Sequence, residues 1–387
     1  MDIKQTLDET LALLCASLAA TAVERDRQGG HATAERALLR DSGLLTLAVP
    51  TKFGGQGESW PVILRAIRRI AAVDSSLAHL FAFQHLQVAS LSFFGSEEQQ
   101  EEWLTRTVRE RWFWGNANNP ADKRVTAAEF DEGLVLNGVK SFCSGAVGAD
   151  VLLVSAHLEC GRLIAATLPT DREGLQIQGD WNAIGQRQTD SGNVIFEDVL
   201  VHPEEVLNPG PGSSAWASLR STLSQSMLVN IYLGIAEGAH QAARDHTRQW
   251  RRPWVLSNVE QATQDPYLLE KFGEFWVQLK AAEALAEQAA QQIEAAWQRG
   301  LSLTAEERGA VSIAVASAKV VAARAALDIG SRLFEVAGTS SLHAPLGHDR
   351  FWRNARTHTL HDPIEYKLRD LGNWALNDVL PTPSAYT

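Results

Sequence analysis

The chain has 387 residues, 45% of them hydrophobic, enough apolar material for two or three domains that each bury a core. Asp and Glu number 46 against 35 Lys and Arg, a formal charge of -11, which is the wrong sign for a protein that binds by neutralising a phosphate backbone and excludes nucleic acid as a partner. Cys15, Cys143 and Cys160 are too few and too scattered for a disulfide framework or a cysteine zinc site; they fit a reducing compartment, by default the cytoplasm.

The opening stretch, MDIKQTLDETLALLCASLAATAVERD, carries Asp2, Asp8 and Glu9 and breaks its apolar residues with polar ones at helical spacing. It reads as an amphipathic helix, neither a signal peptide nor a membrane span. No later apolar run reaches the ~18 residues that a membrane crossing needs. Helical periodicity continues to about residue 112, and Ser96 with Gln99 has the spacing of a capping box at a helix start. Residues 1–112 are expected to form a helical domain. From 125 to 207 short β-branched and aliphatic runs, among them LVLNGVKSF, DVLLVSA and NVIFEDVLV, alternate with Gly, Pro, Asp and Asn. They predict a β domain over 113–212, with a hairpin turn at Asn137-Gly138, since both residues tolerate positive φ. NPGPGSS, 208–214, reads as a linker. Over 213–387 a helical bundle is expected: 273–297 and 307–338 are long, Ala-rich and free of proline, and the second is apolar around most of its circumference, as a helix buried among helices must be. The fold class is α+β.

This order of helices, strands and bundle, with GIAEGAHQAARDHTRQW at 234–250 and WRNAR at 352–356, resembles the acyl-CoA dehydrogenase superfamily over nearly the whole chain. The resemblance implies an N-terminal helical domain, a middle β-barrel-like domain and a C-terminal four-helix bundle, with a flavin between the last two. DSSLAHLFAFQH (74–85), KSFCSGAVGAD (140–150), RRPWVLSNVEQATQDPYLLEKFGE (251–274) and ARTHTLHDP (355–363) are similar to one branch, the flavin-dependent monooxygenases of dibenzothiophene and sulfur-acquisition type. Membership there implies a homotetramer that takes FMNH2, rather than FAD, from a separate NAD(P)H:flavin reductase. It further implies that O2 and a C4a-hydroperoxyflavin oxygenate a small organic, here organosulfur, substrate. No Gly-x-Gly-x-x-Gly fingerprint follows a predicted strand, in keeping with reduction by another protein. Two rivals stay open. Asp362, nine residues after Arg353, could be the base of an FAD-dependent acyl-CoA dehydrogenase, although GNANNPAD at 115–122 replaces that group's acidic Thr-Glu-Pro loop. The fold could also be a catalytically silent scaffold.

Oxygen transfer needs a dry pocket and a group that titrates near neutrality, which selects histidine. The resemblance places His361 at the flavin ring as the proton manager; on its residues alone the better reading is a satisfied histidine in a connecting turn. His358, three residues earlier, would share its helical face. Ser144 matches a hydroxyl aimed at the flavin, with Phe142 and Cys143 against the ring edge; the other reading of Ser144 is a serine closing a turn before Gly145. Cys143 lacks a base and is read as packing. His79 begins the substrate side, with Phe83 four residues on, or is a core histidine. Asn116, Trp181 and Ser191 match positions that touch flavin or substrate. Arg252 is the candidate clamp on the flavin phosphate of a neighbouring subunit, or a solvated arginine. Gly338 and Thr339 offer backbone N–H groups to a phosphate or ring, unless Gly338 is a simple helix C-cap. The His-x-x-His-Asp run lacks a third convergent ligand, and no metal is expected.

Overall fold

The computed structural model describes residues 6–207 and 214–387, so the linker reading falls almost wholly outside the described residues. Five helices come first: α1 (Leu7–Gln28), α2 (Thr33–Asp41), α3 (Trp60–Val73), α4 (Ser75–Phe94) and α5 (Glu97–Glu110). Thr6 with Glu9, and Ser96 with Gln99, close capping boxes that satisfy the orphan N–H groups opening α1 and α5. Asp74 caps α4, accepting from the Leu77 N–H at 3.0 Å. Helix α4 is buried along almost its whole length, so polar side chains on it face interior sites and not water.

Eight strands follow: β1 (Trp114–Ala117), β2 (Thr126–Phe130), β3 (Gly133–Lys140), β4 (Val151–Leu158), β5 (Leu163–Pro169), β6 (Leu175–Ile177), β7 (Val194–Val201) and β8 (Val206–Leu207). They form one mixed sheet of order β6-β7-β3-β2-β4-β5-β8, with β1 parallel to β4. Every residue of β4 is buried, as a strand covered on both faces requires. The hairpin expected at Asn137-Gly138 is a β-bulge instead. Both residues lie inside β3, whose register against β7 shifts between Leu136 and Gly138. Gly138 has φ 130°, and a Cβ there would sit 2.1 Å from the Arg124 carbonyl oxygen. The glycine is needed for close backbone approach, and the turn falls between Phe130 and Gly133.

The last section holds α6 (Ala215–Trp250), α7 (Pro266–Arg299), α8 (Ala305–Ala337), α9 (Asp349–Thr359) and α10 (Ile364–Asn377). Helix α8 is long and apolar enough to cross a membrane, but it packs against α6, α7, α9 and α10. Its apolar circumference is thus the mark of a core helix. Gly234 and Gly238, one turn apart on α6, would place a Cβ 2.3 and 2.1 Å from the carbonyl oxygens of Arg68 and Ala72. Helices α3 and α6 therefore meet backbone to backbone, which joins the first helical section to the last and seats α4 beside α6.

Candidate active site

His79 on α4 and His358 in the last turn of α9 meet in the interior, Nδ1 of the first 3.1 Å from Nε2 of the second. The His79 ring stacks on Phe83, centroids 4.2 Å apart. Burial denies either ring the hydration its cation needs. It lowers the His79 pKa to about 3 and that of His358 well below the ordinary range, so both are neutral at neutral pH. A neutral pair joined by one hydrogen bond has one N–H and one lone pair left over. Those fall on His79 Nε2 and His358 Nδ1, both buried without a partner. Each unpartnered atom costs ~1–3 kcal/mol, which a bound molecule offering an acceptor and a donor would recover.

His361 lies outside the helical register expected for it. Helix α9 ends at Thr359, and His361 sits in the following turn, its N–H on the His358 carbonyl at 3.1 Å. Its side chain is 39% exposed, and its Nδ1 lies 3.0 Å from Asp362 Oδ1. Burial opposes the charge on Asp362, but the His361 hydrogen bond and the Lys319 and Lys367 ammonium groups outweigh it and hold the carboxyl well below the usual range. An ionised carboxylate can only accept, so His361 Nδ1 carries a proton and donates it to Asp362 Oδ1. The same environment removes Asp362 as a general base: a carboxylate so stabilised binds a proton too weakly to abstract one from carbon. Residues 381–387 fold back over this group. Lys367 donates to the Tyr386 carbonyl, Ser221 Oγ donates to the Thr387 carbonyl at 2.7 Å, and the Tyr386 ring meets His361 edge-on at 5.7 Å.

The sheet contributes the turn after β3. Phe142 holds φ 58°, a left-handed value rare for an aromatic residue, and its ring is 67% exposed, edge-on to Trp181 at 6.0 Å. The following residues are stitched to segment 186–192 by Cys143 N–H to the Gly192 carbonyl at 3.0 Å and Gly145 N–H to the Thr189 carbonyl at 2.8 Å. Ser144 Oγ lies 2.8 Å from Ser191 Oγ, which lies 2.7 Å from Thr189 Oγ1. Thr189 spends its proton on the Gln186 carbonyl at 3.0 Å. The chain then runs from Ser144 through Ser191 to Thr189, and the Ser144 oxygen keeps lone pairs for an incoming N–H or O–H. Asn116 N–H donates to the Ser144 carbonyl at 2.9 Å, and its Oδ1 accepts from Gln87 Nε2 at 2.9 Å. A Cβ on Gly145 would be 3.1 Å from Leu80, the neighbour of His79, so the serine turn and the imidazole pair share one locality. Gln186 fixes it in place: its N–H donates to Asn354 Oδ1 at 2.7 Å and its Nε2 to Ser75 Oγ at 3.2 Å, while its carbonyl also accepts from Trp181 Nε1 at 2.8 Å. Burial pushes the Cys143 thiol up to about 12, which leaves it protonated and unreactive.

The phosphate-side expectations fare differently. Arg252 is exposed, whereas Arg251 lies against Gly338, where a Cβ would stand 1.6 Å from its Nη1. Gly338 N–H donates to the Phe334 carbonyl at 2.8 Å, closing α8, so it is a C-cap and has no free donor for a phosphate. Thr339 is exposed. Among the described residues no group of His, Cys, Asp and Glu is arranged to hold a metal ion. Sequence reasoning passed over Gln87, Gln186 and Thr189, and weighed Arg251 only as a solvated neighbour of Arg252. Gln87 did carry a signal, standing two turns after His79 on the face of Phe83; the others carry none, because tertiary packing alone places them.

Two family models match, "Acyl-CoA dehydrogenase, N-terminal domain" over residues 2–111 and "Acyl-CoA dehydrogenase, C-terminal domain" over 226–366. The chain is 49% identical over 377 residues to "Probable FMNH2-dependent monooxygenase SfnC" of Pseudomonas putida, 97% of this chain and 95% of that one. To the dibenzothiophene monooxygenase of Mycolicibacterium goodii it is 45% identical over 380 residues, 94% and 92% of the two chains. The structure of methanesulfinate monooxygenase MsuC from Pseudomonas fluorescens superposes with a TM-score of 0.98 at 48% identity, covering 99% of this chain and 100% of that one. FMN-bound TdsC from Paenibacillus sp. A11-2 superposes at 0.94 with 45% identity, covering 98% and 99%.

Proposed function

The chain belongs to the acyl-CoA dehydrogenase family, and from that premise we propose that it is a two-component flavin-dependent monooxygenase. It takes reduced FMN from a separate NAD(P)H:flavin reductase and transfers one atom of O2 to a small organosulfur compound. The observation that carries this reading is the neutral His79–His358 pair, with an unpartnered atom at each end, beside the Ser144 hydroxyl chain. These residues fit a flavin, whose ring edge carries both donors and acceptors.

FMN, when bound, supplies the electrons that activate O2. Phe142 and Trp181 would give it an aromatic flank and Ser144 would accept a hydrogen bond from it, while Ser191 orients Ser144 and Asn116 and Cys143 hold the turn in place. Arg251 and Arg252 carry the positive charge for a phosphate, Arg252 that of a neighbouring subunit. His361 Nε2 takes or returns the proton, while the buried His79–His358 pair excludes water and presents one donor and one acceptor. Substrate lies along the α4 face of His79 and Phe83. Exposed Trp250, Trp254, Val255 and Leu256, each at least 66% accessible, support assembly, in this reading as a homotetramer. Three free cysteines support a reducing cytoplasm.

The test is anaerobic titration with reduced FMN, then 18O2 with a panel of organosulfur compounds, read by mass spectrometry. One labelled oxygen in the product is expected. Prompt reduction of an electron-accepting dye by acyl-CoA without reductase would overturn the proposal, and absence of reduced FMN binding would favour the silent scaffold.

A further inference from the structure

Arg220 of α6 is half-buried against α4. Its Nε donates to Ser90 Oγ at 2.6 Å and its Nη2 to Gln87 Oε1 at 3.1 Å. Both acceptors are neutral, and Ser90 gives its own proton to the Leu86 carbonyl at 2.7 Å. Among the described residues no carboxylate pairs with this guanidinium, and Nη1 has no acceptor. Arg25 and Arg68, more deeply buried, meet Asp74 at 2.6 Å and Glu287 at 2.8 Å. Burial lowers the Arg220 pKa to about 10, so the cation persists at neutral pH. An unbalanced charge partly withdrawn from water carries a cost, and two neutral hydrogen bonds do not require one.

Its position gives the charge a use. Gln87, which holds the guanidinium, stands two turns from His79 with Phe83 between them. Gln87 Nε2 reaches Asn116 Oδ1 at 2.9 Å, and Asn116 N–H holds the Ser144 carbonyl. We propose that Arg220 anchors an anionic group of the substrate, so that the substrate class is an organosulfur anion, with a sulfinate, sulfonate or carboxylate oxygen on the guanidinium, and not a neutral sulfide or thiophene. A guanidinium presents paired N–H donors that match two oxygens of such a group. The inference rests on the monooxygenase reading for what happens after binding, but not for binding itself. The FMN phosphate offers the same chemistry, and the experiment separates the two.

Calorimetric titration of the flavin-free protein with methanesulfonate, an inert organosulfur anion, reads the site without turnover. Wild type is expected to bind, Arg220→Gln to weaken binding at least tenfold, and Arg220→Lys, which keeps the charge but loses the fork, to fall between. With reductase and FMN, Arg220→Gln raises KM for methanesulfinate at least tenfold. No methanesulfonate binding by wild type, or equal binding by wild type and a folded Arg220→Gln, overturns the proposal. So does a loss confined to reduced FMN affinity, which assigns the guanidinium to the cofactor phosphate. If wild type binds methanesulfonate through Arg220 yet oxygenates nothing, the anion site stands and the monooxygenase reading falls.

Discussion

His79, His85 and His358 are buried imidazoles kept neutral by loss of hydration, with His79 and His85 drawn from 6.5 to about 3. The unfolded chain takes up a proton that the folded one refuses, so stability is lost as pH falls below ~6.5, by up to ~1.4 kcal/mol per pH unit for each ring, until the folded value is reached. Above that range the three rings make stability no more pH-dependent. Urea midpoints should therefore drop steeply from pH ~7 to ~5. His85 has no hydrogen bond to lose, so His85→Phe should make the slope shallower by about one proton; an unchanged slope would show that this imidazole is protonated in the fold. At the reacting group, His361→Ala should keep reduced FMN binding within about threefold while product per O2 falls at least tenfold and H2O2 rises, measured together in one coupled assay. An unaltered yield removes His361 from the mechanism. The three site histidines were legible because they sit in recognisable runs. Their protonation was not, because it depends on a contact across 279 residues and on a carboxylate held by Lys319.

Elements were easiest to read where local chemistry and tertiary demand coincide, as at the Ser96 capping box and the buried α8. Asn137-Gly138 shows the opposite case. Positive φ occurs at Gly138 but not at Asn137; at the glycine it serves a bulge in one strand, and strand pairing, which is non-local, decides between bulge and turn. The run GIAEGAH at 234–240 was noticed as a resemblance, and the structure supplies its reason in the α3–α6 contact. Gly234→Ala and Gly238→Ala should each overpack that contact by ~1–3 kcal/mol, or more if the backbones cannot part, seen as a lower thermal midpoint. A comparable change at Gly273, with open space around it, should leave the midpoint unmoved or raised. Between α8 and the turn after α9, Lys319 and Asp362 form a buried pair. Lys319→Met removes the nearer of the two cations on that carboxylate, leaving Lys367 and the His361 N–H, and should cost ~1–3 kcal/mol, read in urea unfolding.

On the scale of the whole molecule, the apolar surface left uncovered is concentrated in 250–256 and on the outer face of α7, where Trp276 and Val277 are 55% and 66% exposed. Singly exposed apolar residues are ordinary, but a run of this kind favours a partner surface. Trp254→Lys should shift the proposed homotetramer toward smaller species in sedimentation velocity, with little change in far-ultraviolet circular dichroism. Retention of the wild-type sedimentation coefficient would place the interface elsewhere. This surface was invisible to the sequence reading because exposure emerges only once every core has taken its share. The fold-back of 381–387 onto His361 has a practical corollary. Those residues lie beyond the last helix and contribute little to the apolar cores, but the buried Arg308 and Lys367 donate to their carbonyls, so an enzyme preparation nicked after Leu380 should melt somewhat lower than the intact protein, though still cooperatively. It would nonetheless have lost the aromatic cover of His361, and a sharp melting curve would then certify molecules that no longer couple oxygen to product.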